Sequence, residues 1–209
     1  MFPTEILVAY LAAVLLVVIA PGPDNILAIS RGLSQGRVAA VLSSMGAGLG
    51  ILFHTVAAAL GLTLVIQASP AAFWAVKLAG AAYLLWLGYK ALTSRNLITF
   101  TPAARQSLRR VFATALFSNV LNPKPGLFVL AFIPQFVSDA RGPVNVQVLV
   151  YGAIFAVLTA VIFSVLGCFA ARLSGWLGRR PRVTTWLNLG AGVTFIASGI
   201  SILALGHRR

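Results

Sequence analysis

The chain has 209 residues, 59% of them hydrophobic and only 9% charged, with a mean hydropathy of +0.95. A soluble domain is about 25% charged, so there is too little charge here to cover a soluble surface, and the class expected is a polytopic membrane protein. The net charge of +13 invites a nucleic-acid reading, which its distribution along the chain argues against.

Apolar runs of helix-spanning length lie at roughly 5–31, 38–67, 70–92, 110–137, 145–171 and 184–206, which predicts an all-α fold of about six transmembrane helices. The basic residues sort by connection. Arg31 and Arg37 lie between spans one and two, and Lys90, Arg95, Arg105, Arg109 and Arg110 between spans three and four. Arg172, Arg179, Arg180 and Arg182 lie between spans five and six, and only Arg141, Arg208 and Arg209 fall in alternate connections or at the end. By the positive-inside rule the odd-numbered connections are cytoplasmic and both termini outside. The charge is then a topology signal with some attraction for anionic lipid, and no nucleic-acid partner is expected.

At the N-terminus, "MFPTEILVAYLAAVLLVVIA" lacks the positive n-region of a signal peptide. Pro3 and Thr4 before Glu5 read as a helix start. Span one is then interrupted by Pro21-Gly22-Pro23-Asp24-Asn25. A proline inside a helix costs about 3 kcal/mol or more, a charge at the bilayer centre roughly 2.5–3.5 kcal/mol on insertion scales, and unpaired backbone groups must find protein or water. Two prolines in three residues are expected to unwind a turn.

Span two carries Gly46, Gly50, His54 and Ala58 at four-residue spacing in "MGAGLGILFHTVAAALGL", a small-residue packing face that turns His54 toward another helix. His54 is either a neutral histidine donating to a backbone carbonyl or a second proton-handling group beside Asp24. Span three repeats the small-residue pattern at Gly80 and Gly88, with Trp74, Trp86 and Tyr89 as interfacial anchors. Lys77 either snorkels outward or lines the pathway.

After the basic link comes span four, "LFSNVLNPKPGLFVLAFIPQF" (116–136). Pro123-Lys124-Pro125-Gly126 mirrors Pro21-Gly22-Pro23-Asp24. Three spans per half means that the second half enters from the opposite side, the arithmetic of an inverted repeat. The chain is thus expected to be one transmembrane domain, 1–209, with repeat one at about 1–92, a cytoplasmic link at 93–110 and repeat two at about 111–209. Helices one and four are broken at Pro-x-Pro. Asp24 lies on the order of 10–18 Å from the inner end of span one, and Lys124 about 20 Å from Arg110, so the breaks reach comparable depth.

The breaks supply chemistry. Half-helices beginning near Asp24 and Gly126 aim positive N-terminal ends at the midplane, suited to a carboxylate. Those ending before Pro21 and Pro123 offer carbonyls suited to an ammonium group. With Asn25, Asn119 and Asn122 at the same level, the candidate substrate site is Pro21, Gly22, Pro23, Asp24, Asn25, Asn119, Asn122, Pro123, Lys124 and Pro125, recognising an amino acid's zwitterionic head. Asp24 and Lys124 are expected to pair when the site is empty. Asp24 is the foremost candidate for proton coupling, with His54 the second. Glu5 and Asp139 read as interfacial. Gly152, Ala156, Ala160 and Ser164 on span five read as helix packing.

The single Cys168 reads as a buried small residue. One cysteine and two histidines make no transition-metal site, and neither a cofactor nor an enzymatic nucleophile–base motif is expected.

With "APGPDNI", "LNPKPGLF" and "KLAGAAYLLWLGYKAL", the sequence resembles the LysE/RhtB family of amino-acid exporters over nearly its full length. The resemblance implies efflux of amino acids, driven by the proton motive force, across the bacterial inner membrane, on the threonine, homoserine and leucine branch. One acidic residue at the site, with Lys124 to compete for it, favours a neutral substrate. An exporter of basic amino acids, or an ion or metal transporter, is the alternative. The small-residue faces suit a homodimer as readily as packing within one chain.

Overall fold

The structure is a computed structural model that describes residues 2–20, 22–68, 70–93, 103–170, 172, 176 and 181–204. Pro21 and His207 lie outside the described residues, as does the side chain of Lys77. Among the described residues the fold is all-helical: α1 (Thr4–Ile19), α2 (Pro23–Gln35), α3 (Arg37–Ala68), α4 (Pro70–Thr93), α5 (Leu108–Val120), α6 (Pro123–Ala131), α7 (Val144–Cys168) and α8 (Pro181–Ala204). Two 3-10 turns, Ile133–Phe136 and Asp139–Arg141, join α6 to α7.

Both expected breaks are present, as bends of 57° between α1 and α2 and 51° between α5 and α6. Helix α1 ends because Ala20 (ψ 127°) precedes a proline, and α5 gives way to an extended Asn122 (ψ 117°) before Pro123 for the same steric reason. The backbone leaves the helix at Ala20 and Gly22 and again at Leu121 and Asn122, as expected of the prolines, and what is corrected is their cost. Pro23 is the first residue of α2, and Pro123 and Pro125 lie in the first turn of α6. N–H groups there have no intrahelical partner, so these prolines remove no hydrogen bond. Helix α2 stops at Gly36, whose φ of +83° suits glycine alone.

Segments Arg37–Gly61 and Val144–Cys168 are each long and apolar enough to cross a membrane, and each bent pair is so when taken as one span. The exterior is correspondingly apolar: Phe53, Leu60, Val157 and Trp186 are all more than half exposed. Trp86 and Tyr89 also face outward, with Lys90 Nζ 4.7 Å from the Trp86 ring centre. An apolar outer surface over an all-helical interior is the architecture of a polytopic membrane protein.

Helix α3 is the central post, packed on α7, α5, α2 and α6, while α4 pairs with α8. Small residues set these approaches. The Gly46 face packs on α5 as expected, a Cβ there falling 2.5 Å from the Phe112 carbonyl oxygen. Gly48 faces Ala156 and Ala160 of α7, Gly152 faces Thr55 of α3, and Gly32 of α2 meets the Gly167 backbone.

The two ends are tied by polar side chains. Arg31 is buried, not a free surface charge, and donates to the Ala104 carbonyl at 2.6 Å and Gln106 Oε1 at 2.8 Å. Gln35 exchanges bonds with the Gln106 backbone at 2.7 and 3.0 Å, which straps 103–107 onto α2. At the far end of the bent pairs, the fully buried Gln147 binds both the N–H and carbonyl of Ser138 and the carbonyl of Gly142. Cys168, expected to be buried, is half-buried, with its thiol 4.0 Å from the Arg37 carbonyl oxygen.

The α3–α7 seam is therefore intolerant of added volume. Gly152→Ala places a methyl on Thr55, and overpacking of this kind costs about 1–3 kcal/mol. Gly61 has nothing within 4 Å of an added Cβ. Thermal unfolding of the purified protein in detergent is expected to show a lowered Tm for Gly152→Ala and none for Gly61→Ala; equal shifts would contradict the seam.

Candidate functional site

The two breaks meet in one cavity of about 30 Å³, lined by residues from both bent pairs together with α3 and α7. Of the expected site residues, Gly22, Pro23, Asp24, Asn25, Asn119, Asn122, Lys124 and Pro125 line it. Pro123, the first residue of α6, is exposed and outside the lining. His54 is also outside it.

Each break is held by the side chains of the other. Asp24, in the first turn of α2, accepts at Oδ2 from Asn119 Nδ2 at 2.8 Å and from Asn122 Nδ2 at 3.0 Å, both at the second break. Lys124, in the first turn of α6, reaches back to the first break, where Nζ donates to the carbonyls of Ala20 at 3.3 Å and Val17 at 3.4 Å. Its ammonium also lies 5.5 Å from the Phe195 ring centre of α8. The expected Asp24–Lys124 ion pair is not formed: among the described residues each is bound instead by the neutral groups named here. Lys124 thus occupies the C-terminal carbonyls of α1 that a substrate ammonium was expected to take. The negative end of the α1 dipole holds a lysine as well as it would a ligand.

Asn25 has a structural duty. Its Oδ1 accepts from the Gly22 N–H and its Nδ2 donates to the Ala20 carbonyl, both at 2.9 Å, so one buried amide splints the first break. Asn122 does the same work at the second, as N-cap of α6, accepting at Oδ1 from the Lys124 N–H at 3.0 Å. His54 Nε2 lies 3.1 Å from the Asn119 carbonyl; a carbonyl only accepts, so the ring donates. It fills the histidine's bland role, satisfying a carbonyl at the end of α5.

Glycines make room for all of this. A Cβ on Gly50 would fall 2.7 Å from Asn119 Cβ, one on Gly22 3.1 Å from Lys124 Nζ, and one on Gly126 3.0 Å from the His54 ring. Among the lining residues, Asp24 Oδ1, Asn119 Oδ1 and Thr159 Oγ1 are buried without a partner. The rest of the wall is apolar, including Ile51 of α3 and Phe155 and Phe163 of α7. Sequence reasoning missed Thr159 and its flanking phenylalanines. Their four-residue spacing marks a second face of span five beside the small-residue face.

Truncating the splint is expected to matter. Asn25→Ala leaves the Gly22 N–H without its partner, at about 1–3 kcal/mol. A Tm for Asn25→Ala equal to that of the unmutated protein would show that the break needs no splint.

The sequence has counterparts among known proteins. Residues 15–206 match the family model described as LysE type translocator. The chain is 32% identical over 200 residues to a homoserine/homoserine lactone efflux protein of Salmonella typhimurium, covering 95% of this chain and 96% of the relative. It is 31% identical over 193 residues to a membrane protein of Vibrio cholerae, covering 92% and 93%. A leucine efflux protein of Salmonella choleraesuis is 24% identical over 202 residues, covering 94% and 93%. No solved structure matches the chain. With the match running across both bent pairs and the cavity between them, the chain belongs to the LysE family of translocators.

Proposed function

We propose that the protein is a secondary transporter that exports amino acids with neutral side chains across the bacterial inner membrane, coupled to protons by alternating access. The observation that carries this reading is the exchange of side chains between the two breaks around a small cavity. Its support from relatives is the naming of two of them as homoserine/homoserine lactone and leucine efflux proteins. In this reading six spans form two inverted three-helix repeats, about 1–92 and 111–209, joined by the cytoplasmic link 93–110, with both termini outside. The cavity then lies where one repeat faces the other.

The head of the substrate docks at the breaks. Its ammonium donates to Asp24 Oδ1, which faces the cavity without a partner. Its carboxylate draws Lys124 away from the Val17 and Ala20 carbonyls, whose contacts at 3.4 and 3.3 Å are long for a charged donor. A substrate with a cationic side chain would meet Lys124 with no second acid to balance it, since among the described residues Asp24 is the cavity's single carboxylate. That disfavours the basic-amino-acid alternative, and it leaves a metal cargo one carboxylate where several oxygen ligands are wanted.

A cavity of about 30 Å³ holds about two water molecules and no amino acid, so loading must widen it. The ties at the two ends, Arg31 to 104–106 and Gln147 to 138–142, are the contacts that opening toward either side would release. Proton coupling belongs to Asp24. Protonation of its carboxylate removes the charge that holds the ammonium, and Asp24 lines the cavity whereas His54 does not.

Efflux from proteoliposomes preloaded with labelled amino acids, with and without a pH gradient, tests the reading. The unmutated protein is expected to export neutral amino acids in a gradient-dependent manner and lysine poorly. Asp24→Asn, at equal reconstitution, is expected to lose roughly 10- to 100-fold in rate, the weight of a charge-assisted hydrogen bond. Gradient-driven export that survives Asp24→Asn would move the coupling elsewhere.

A further inference from the structure

Six buried polar side-chain atoms have no partner among the described residues: Arg31 Nε, Arg141 Nη1 and Tyr151 OH lie away from the cavity, and the other three belong to residues that line it. Two of them, Asp24 Oδ1 and Asn119 Oδ1, are acceptors only. The Asn119 amide is oriented by chemistry: its Nδ2 donates to a carboxylate oxygen, so Oδ1 is the end left free. Both belong to the breaks.

The third, Thr159 Oγ1, differs in place and in kind. It sits in the middle of α7, 2% exposed, and its hydroxyl carries a donor as well as lone pairs. Buried hydroxyls in helices ordinarily bond back to the carbonyl one turn earlier. Ser44 does so to Ala40 and Thr55 to Ile51, each at 2.8 Å. Thr159 has no such bond and no other partner. An orphaned buried hydroxyl costs free energy, so its place between Phe155 and Phe163 on the cavity face of α7 calls for a ligand atom.

We infer that Thr159 is a specificity-determining residue, whose hydroxyl reads a side-chain oxygen of the substrate while Asp24 Oδ1 and Asn119 Oδ1 together hold the ammonium. This rests on the amino-acid export reading above. The head group is fixed at the breaks, where the acceptors are. The side chain then runs along the α7 wall, where Phe155 and Phe163 accept methylene groups and Thr159 is the polar group between them. The preferred substrates are amino acids with an alcohol, or another oxygen, in a short unbranched or β-branched side chain. Apolar isosteres fit the same space but leave Thr159 unpaired, the circumstance in which a site discriminates by a single hydrogen bond.

The test uses matched pairs that differ by hydroxyl against methyl: homoserine with norvaline, and threonine with valine. Efflux from proteoliposomes, and ligand-induced Tm shifts of the detergent-purified protein, are measured for the unmutated chain, Thr159→Val and Thr159→Ser. The unmutated protein is expected to prefer the hydroxylated member. Thr159→Val, nearly isosteric, is expected to lower that preference roughly 3- to 10-fold, the weight of one hydrogen bond, by slowing the hydroxylated substrate alone. Thr159→Ser is expected to keep it. An unchanged preference in Thr159→Val, or an equal loss for both members, overturns the inference while leaving the export reading intact. Export of no amino acid by the unmutated protein overturns the export reading and the inference with it. If Thr159→Val does not transport, the Tm shifts decide by the same ratio.

Discussion

The bond between Asp24 of α2 and the two asparagines of the other break, Asn119 and Asn122, is the constraint around which the rest of this structure is arranged. A carboxylate within an apolar bundle needs donors that do not themselves require a counter-charge, and two neutral amides meet that need. Because they come from the second bent pair, the charge of the first break is held by side chains of the second. Lys124 completes the exchange in the opposite direction, placing its ammonium on the carbonyls at the end of α1. Each charge is thus stabilised by dipoles of the other break, with no direct ion pair between them.

The surrounding packing follows from the need to bring the breaks together. Gly22, Gly50 and Gly126 sit where a Cβ would strike Lys124, Asn119 or the His54 ring. Gly152 and Gly48 draw α7 onto α3, and this turns the Phe155–Thr159–Phe163 face toward the cavity. Between the polar straps at the two ends, the breaks leave a space of about 30 Å³. A transporter needs such a site to be reachable from each side in turn, so contacts at the ends that are polar, few and separate from the apolar core suit the task.

Much of this was legible in the sequence, and the boundary has physical causes. Prolines paired with ionisable residues in two apolar runs mark the breaks, because the residue before a proline is steered out of the helical region. The four-residue spacing of Gly46, Gly50 and His54 gave the correct face of α3. The direction in which each charged side chain reaches was not legible: Asp24 and Lys124 read as natural partners, and only the folded geometry puts amides and carbonyls nearer. Arg31 read as one more cytoplasmic charge, and its strap onto 104–106 depends on where a link distant in sequence returns. Thr159 carries no motif. Its significance arises from the rotation of α7, which the small-residue face sets but does not announce.

The central claim, that the two breaks act as one unit, is tested most directly by a double-mutant cycle across them. Asp24→Asn, Asn119→Ala and the double variant are compared with the unmutated protein by thermal unfolding in detergent. If the breaks are coupled as described, the double variant loses less stability than the two single losses together, with an interaction of about 0.5–3 kcal/mol as for residues in contact. Losses that add to within about 0.3–0.5 kcal/mol would mean that the breaks are independent and would contradict the account.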